Sequence, residues 1–196
     1  HGEKGTTRAP MLTARGDFGV AVAGGKVYVV GGISGSPLTQ NEEYDPVADN
    51  WVTRAPMPMA RYGLFAAAVG GKVYAVGGWN GSSYLTQNEE YDPAANSWVT
   101  RAPMPTARTG LSAVVVGDKV YSVGGHNGPA LTQNEEYDPA INAWATRAPM
   151  LTARTQLDAA VAGGKIYAVG GGAGTFYMTQ NEEYDPVANS RATRAP

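Results

Sequence analysis

The chain contains no cysteine. That one absence excludes disulfide staples, thiolate metal centres and a cysteine nucleophile. Histidine is nearly as scarce: of two in 196 residues, one is His1 and the other, His126, is the only internal one. A Ser/His/Asp relay therefore has a single candidate base, and no such arrangement can be assembled. Charge is sparse as well. Asp, Glu, Lys and Arg make up 16% of the residues and almost cancel, leaving −2. There is no basic field for nucleic acid or an anionic membrane, and no apolar run approaches the ~20 residues of a membrane-spanning helix. The opening His1-Gly2-Glu3-Lys4-Gly5 does not have the form of a signal peptide.

What the chain has instead is glycine, aromatic residues and repetition. The 26 glycines and 13 prolines are well above the usual ~12% for the pair and imply many turns. The 43% hydrophobic content supplies a core. Eleven Tyr, four Trp and three Phe favour strands, because flat rings pack well on a pleated, half-buried surface. The phrase Thr-Gln-Asn-Glu-Glu-Tyr-Asp-Pro occurs four times, at Thr39–Pro46, Thr86–Pro93, Thr132–Pro139 and Thr179–Pro186. Arg-Ala-Pro starts at Arg8, Arg54, Arg101, Arg147 and Arg194, so its copies lie 46 or 47 residues apart. The period predicts one domain over residues 1–196. It holds four units, approximately 12–57, 58–104, 105–150 and 151–196, behind a leading partial one.

Each unit carries four strand signals. In the second, Leu64–Val69 ends at Gly70-Gly71, a pair suited to a tight hairpin. Lys72–Val76 follows, stopped by Gly77-Gly78. A polar loop, Trp79–Tyr84, leads into Leu85–Tyr91; Asp92–Asn96 reads as a turn; Ser97–Arg101 closes the unit. No window has an apolar 3.6-residue period long enough for a helix. Four antiparallel strands per ~47 residues predict an all-β propeller blade.

The glycine doublets Gly31-Gly32, Gly77-Gly78, Gly124-Gly125 and Gly170-Gly171 are followed by Tyr44, Tyr91, Tyr137 and Tyr184, then by Trp51, Trp98 and Trp144, then by Ala-Pro. This order resembles the Kelch repeat, four times in register over essentially the whole chain. Arg191 replaces the fourth Trp, and Gly5 holds that place in the leading partial unit. The resemblance implies a β-propeller of four-stranded antiparallel Kelch blades, four per chain, with no cofactor and no metal. It also implies that one face holds peptide segments of a partner protein. The copper chemistry found on some Kelch propellers needs a cysteine-linked tyrosine and histidines, which this chain lacks. Highly similar repeats look like bacterial and archaeal Kelch arrays, which implies an exported or cell-surface setting. Four blades leave closure open: a monomeric four-bladed ring, a homodimeric eight-bladed ring, or a segment of something longer. Either Thr6–Pro10 or Arg191–Pro196 is expected to fasten the last blade.

Within the units, alternation puts Glu42 and Glu43 on opposite faces of a strand, so one metal cannot see both. Their identical copies suggest a structural pairing with Arg. The recurrent Tyr and Trp read as blade-to-blade packing. Arg15, Arg61, Arg108 and Arg154 stand before each first strand; they can offer donors to a ligand, cap carbonyls or pair with the repeated Glu. The units differ mainly in two loops, one after the doublet and one after this arginine, and strand direction brings both to one end. Variable loops clustered on a rigid scaffold are where recognition surfaces are built. The candidate binding residues are therefore Arg15, Phe18, Ile33, Ser34, Arg61, Tyr62, Trp79, Asn80, Arg108, His126, Asn127, Arg154, Gln156 and Phe176, for a protein or peptide partner and without catalysis. The rival is a carbohydrate- or small-molecule-handling enzyme on the same scaffold. A lone loop histidine such as His126 is more often solvated than a ligand.

Overall fold

Four copies of one sheet stand side by side, each formed by a single sequence unit. The computed structural model describes residues 5–195; the segment His1–Lys4, read above as no signal peptide, and Pro196 lie outside the described residues. The first blade holds β1 (Gly19–Ala23), β2 (Lys26–Val30), β5 (Asn41–Asp45) and β6 (Asn50–Arg54), with a small ribbon, β3 (Ile33–Ser34) and β4 (Ser36–Pro37), between β2 and β5. The second holds β7 (Phe65–Val69), β8 (Lys72–Val76), β9 (Asn88–Asp92) and β10 (Ser97–Thr100). The third holds β11 (Ser112–Val116), β12 (Lys119–Val123), β13 (Asn134–Asp138) and β14 (Ala143–Thr146). The fourth holds β15 (Asp158–Ala162), β16 (Lys165–Val169), β19 (Asn181–Asp185) and β20 (Ser190–Arg194), with a ribbon of β17 (Gly172–Ala173) and β18 (Phe176–Tyr177). All pairs are antiparallel and in chain order. No helix occurs among the described residues.

Local chemistry explains the strand ends. Gly24 and Gly25 both take positive φ, as the tightest hairpins require. Asp45 receives the N–H groups of Val47 and Ala48, an Asx turn that reverses the chain before β6. Asp49, Asn96, Asn142 and Asn189 then take φ of 47–52°, a region their short polar side chains tolerate.

The blades pack face to face. Ala21, Ala23, Tyr28 and Val30 of the first meet Met57, Leu64, Ala66, Val73 and Tyr91 of the second. Tyr28 lies 5.7 Å from Tyr91, Tyr74 lies 5.7 Å from Tyr137, and Tyr121 lies 6.0 Å from Tyr184, ring centroid to centroid. Each of the first four Arg-Ala-Pro linkers docks on the blade that follows it. Ala55 donates its N–H to Asn96 and its carbonyl accepts from the Trp98 indole, and Ala102 repeats both bonds with Asn142 and Trp144. Ala9 of the leading partial unit does the same for Asp49 and Trp51. Arg191 substitutes for tryptophan twice over: its Nε donates to the Ala148 carbonyl, and its guanidinium lies 5.0 Å from the Tyr184 ring.

The stack is an open arc. Strand β1 packs on β7, β7 on β11 and β11 on β15, and the run ends there. Val30, Val76 and Val123 are 0–1% exposed, whereas Val169, their counterpart in the fourth blade, is 49% exposed. At the other end Val20 is 44% exposed, although its counterparts Ala66 and Ala113 are buried. The single-chain four-bladed ring considered from the sequence is thus not formed among the described residues, none of which covers these two faces. Strand β20 completes the fourth blade as one of the two expected fasteners, while Thr6–Pro10 stays outside any strand and acts as a linker.

Candidate functional site

The repeated charges are consumed inside the scaffold. Glu42, Glu89, Glu135 and Glu182 turn inward and pair with Arg15, Arg61, Arg108 and Arg154 at 3.2, 2.6, 2.9 and 3.1 Å. All four arginine side chains are 0% exposed. They also donate to backbone carbonyls: Arg15 to Val29, Gly31 and Gln40, and Arg154 to Ala168, Gly170 and Gln180. Burial pulls each guanidinium below its ordinary pKa, and its glutamate partner pulls the other way. Of the alternatives open in the sequence, carbonyl capping and Glu pairing are both realised. These arginines do not reach the loop face, which corrects their place among the candidate binding residues.

The adjacent glutamates point the other way. Glu43 accepts a bidentate pair from Arg54, at 2.8 and 3.0 Å, and the Tyr28 hydroxyl at 2.8 Å. Glu90 repeats this with Arg101 and Tyr74. Burial would raise the Glu136 carboxyl, but Arg147, Lys119 and Tyr121 outweigh it and hold the group at about 2. Each Glu-Glu pair therefore splits between two cations on opposite faces, as alternation requires.

With the arginines accounted for, the loop end presents aromatic rings beside uncharged polar side chains and Asp17. The loop after each arginine pairs directly with the loop after the glycine doublet of the same blade. Tyr62 and Trp79 exchange two backbone hydrogen bonds, at 3.0 and 2.8 Å, and Thr109 and His126 do the same at 3.0 and 2.9 Å. The second glycine of each doublet permits this: a Cβ on Gly78 would lie 2.9 Å from the Tyr62 carbonyl oxygen. A second ladder runs across the blades, from Gly63 N–H to the Asp17 carbonyl, Gly110 N–H to Gly63, and Gln156 N–H to Gly110. All four of these residues take left-handed φ, from 51 to 61°. For Asp17 and Gln156 that conformation is uncommon, and neighbouring blades use glycine there.

Between the two ladders lies a pocket of about 390 Å³ lined by Asp17, Tyr62, Gly63, Trp79, Tyr84, Thr109, Gly110, His126 and Gln156. The Trp79 and Tyr84 rings meet edge to face at 4.5 Å, and Tyr84 meets His126 at 5.6 Å. His126 Nδ1 lies 2.9 Å from Thr155 Oγ1, whose hydroxyl also faces the Gly110 carbonyl at 3.2 Å. Partial burial lowers the imidazole pKa below its ordinary value.

Of the candidates read from the sequence, Tyr62, Trp79, His126 and Gln156 come together in this pocket. Ile33 and Ser34 on β3, Phe176 on β18 and Asn127 on its loop lie outside it, Phe176 at 75% exposure. Asn80 accepts from Ser82 and Ser83 and holds its own loop in shape. Phe18 occupies the place of Leu64, Leu111 and Leu157, which are buried between blades, so it belongs to the packing face of the first blade. Asp17, Tyr84 and Thr109 were missed. The signal for Asp17 was available: aligned on the arginine, the four units read Asp17, Gly63, Gly110 and Gln156, a glycine position twice filled by a polar side chain.

Antiparallel four-stranded blades in chain order, with a pocket where their variable loops converge, define a β-propeller of the repeat class. Two family descriptions fit: the KLHDC2/KLHL20/DRC7 Kelch-repeats domain matches residues 4–171, and the Kelch motif matches residues 153–193. The chain belongs to the Kelch-repeat family. Among solved structures, one titled "Structure of YjhT" superposes with a TM-score of 0.83 at 19% identity, covering 92% of this chain and 71% of that one. That likeness concerns the fold. No curated protein matches.

Proposed function

We propose that the chain is a non-catalytic recognition module whose loop-face pocket holds a side chain of a partner protein or peptide. The observation that carries this reading is the composition of the pocket. Its walls come from the positions where the four units differ, while every repeated charge is spent inside the blades. Aromatic walls with few polar groups suit binding, and they are the surfaces where interface energy concentrates. The pocket has one carboxylate and one imidazole and no facing pair of acids, so the acid–base chemistry of the rival enzyme reading finds no support in it.

The experiment is selection of a displayed peptide library on the wild-type chain, followed by affinity measurement on a Tyr62→Ala/Trp79→Ala variant. Losing two central aromatics should weaken binding at least ~30-fold, with the melting temperature nearly unchanged because both rings are partly exposed. Arg61→Ala is unsuitable for this purpose: it would leave Glu89 buried and unpaired. Selected peptides that bind the variant as tightly as wild type would refute the assignment of this pocket.

A further inference from the structure

The charges around the pocket are one-sided. Among the described residues, every lysine and every arginine except Arg191 faces a carboxylate within 4 Å, from Arg8 with Asp49 to Arg194 with Glu183. Arg191 is engaged with Ala148 and Tyr184 at the edge of the fourth blade. The loops that form the face contain no lysine or arginine at all. What they contain is Asp17, which lines the pocket and whose carboxylate makes no ion pair or hydrogen bond among the described residues. Asp158, at the start of β15 and exposed, adds a second acid at this end.

The pocket lining completes the pattern. Trp79, Tyr84 and Tyr62 line the pocket with aromatic rings, and such rings attract cations through their quadrupoles. Gln156 adds a side-chain carbonyl to the lining. An anionic side chain would meet Asp17 and the negative ring faces with no donor of opposite charge. A cation meets three kinds of favourable group. We propose that the pocket takes a cationic side chain, an arginine or lysine presented by the partner segment. This rests on the recognition reading above and narrows it to one chemistry.

The left-handed backbone at Asp17 fits the same role. The equivalent glycines could not be replaced without collision, since a Cβ on Gly63 or Gly110 would strike the threonine hydroxyl of the next blade, Thr109 or Thr155. The second blade presents Tyr62 in place of that threonine, and only there, ahead of another blade, is a side chain accommodated. A carboxylate thus lines the pocket at a position that the second and third units keep bare.

The test uses five small probes on the isotope-labelled full chain: Nα-acetyl amides of arginine, lysine, glutamine and glutamate, and methyl β-glucoside. Binding is read from the Trp79 indole and the Gly63 and Gly110 amide resonances. The arginine and lysine compounds should bind saturably and at least about fivefold more tightly than the glutamine isostere. Asp17→Asn should remove most of that preference while leaving the rest of the spectrum in place. Equal or better binding of the glutamine or glutamate compound would overturn the cation assignment but leave peptide recognition standing. Shifts with the glucoside alone would overturn both readings. No shift with any probe, or an undiminished preference in Asp17→Asn, would overturn the cation proposal.

Discussion

Gly31, Gly77, Gly124 and Gly170 each close a second strand with φ of 63–64°, yet only three of them face another blade. A Cβ on Gly31 would lie 2.6 Å from the Arg61 carbonyl oxygen and on Gly124 2.6 Å from that of Arg154, while on Gly170 the nearest atom is 3.7 Å away. Left-handed φ costs a non-glycine residue about 1–2 kcal/mol on its own. Gly170→Ala should therefore cost about that much, and Gly31→Ala at least ~1 kcal/mol more, because a backbone oxygen cannot step aside. Chemical denaturation of the two variants measures the difference; equal losses would mean that the inter-blade contact at Gly31 is not tight. The need for glycine here was legible from the doublets. For Arg15 and its copies the sequence offered carbonyl capping and Glu pairing beside a ligand role; their complete burial was not legible, because a full charge ordinarily stays in water and only the facing glutamates and backbone carbonyls hold it inside.

At the scale of the strand, the third element of each blade carries the most information. Its Asn-Glu-Glu-Tyr-Asp run sends one glutamate to a buried arginine and the next to an exposed-side cation cluster. The alternation was legible, and so was the pairing with arginine, though not which arginine served which acid. The sequence predicts this strand from Leu85, but β9 begins at Asn88, because Leu85 bonds back to Gly78 and Thr86 accepts from Met104 of the linker. The glutamates also set a pH limit. Glu136 is held at about 2 in the fold against an ordinary carboxyl near 4.5, and Glu183 likewise at about 2. A depressed native pKa means that stabilisation is complete above the unfolded value and is lost as protons bind. Stability should be level above pH ~5 and fall steeply from about 4.5 towards 2. Glu136→Gln should lower stability at neutral pH and flatten that acid limb. Thermal melts at a series of pH values would show it, and an unchanged acid slope in the variant would remove Glu136 from the account.

For the whole molecule, the question is what covers the two ends of the arc. The rear face of the fourth blade presents Ala160, Tyr167 and Val169, the counterparts of the Ala21, Tyr28 and Val30 set that packs on the second blade. The front face of the first blade presents Val20, Val27 and Tyr44, where the second buries Ala66, Val73 and Tyr91. Each end is therefore shaped for the other, but four blades in an open arc keep them apart. A head-to-tail contact between two chains joins unlike faces, and two such contacts close a ring when the rotation permits. The strands were legible from one unit at a time, whereas curvature depends on how neighbouring faces fit, which no single unit records. Exposed apolar faces drive association in water. The 196-residue chain by itself should sediment as more than one chain at micromolar concentration and dissociate on dilution. Val169→Lys places a charge in the centre of the rear face, which is solvent-exposed within the single chain. It should yield a monomer with the same circular dichroism spectrum. A wild-type chain that remains monodisperse and single at its highest soluble concentration would show that the end faces tolerate water and that neither end seeks the other.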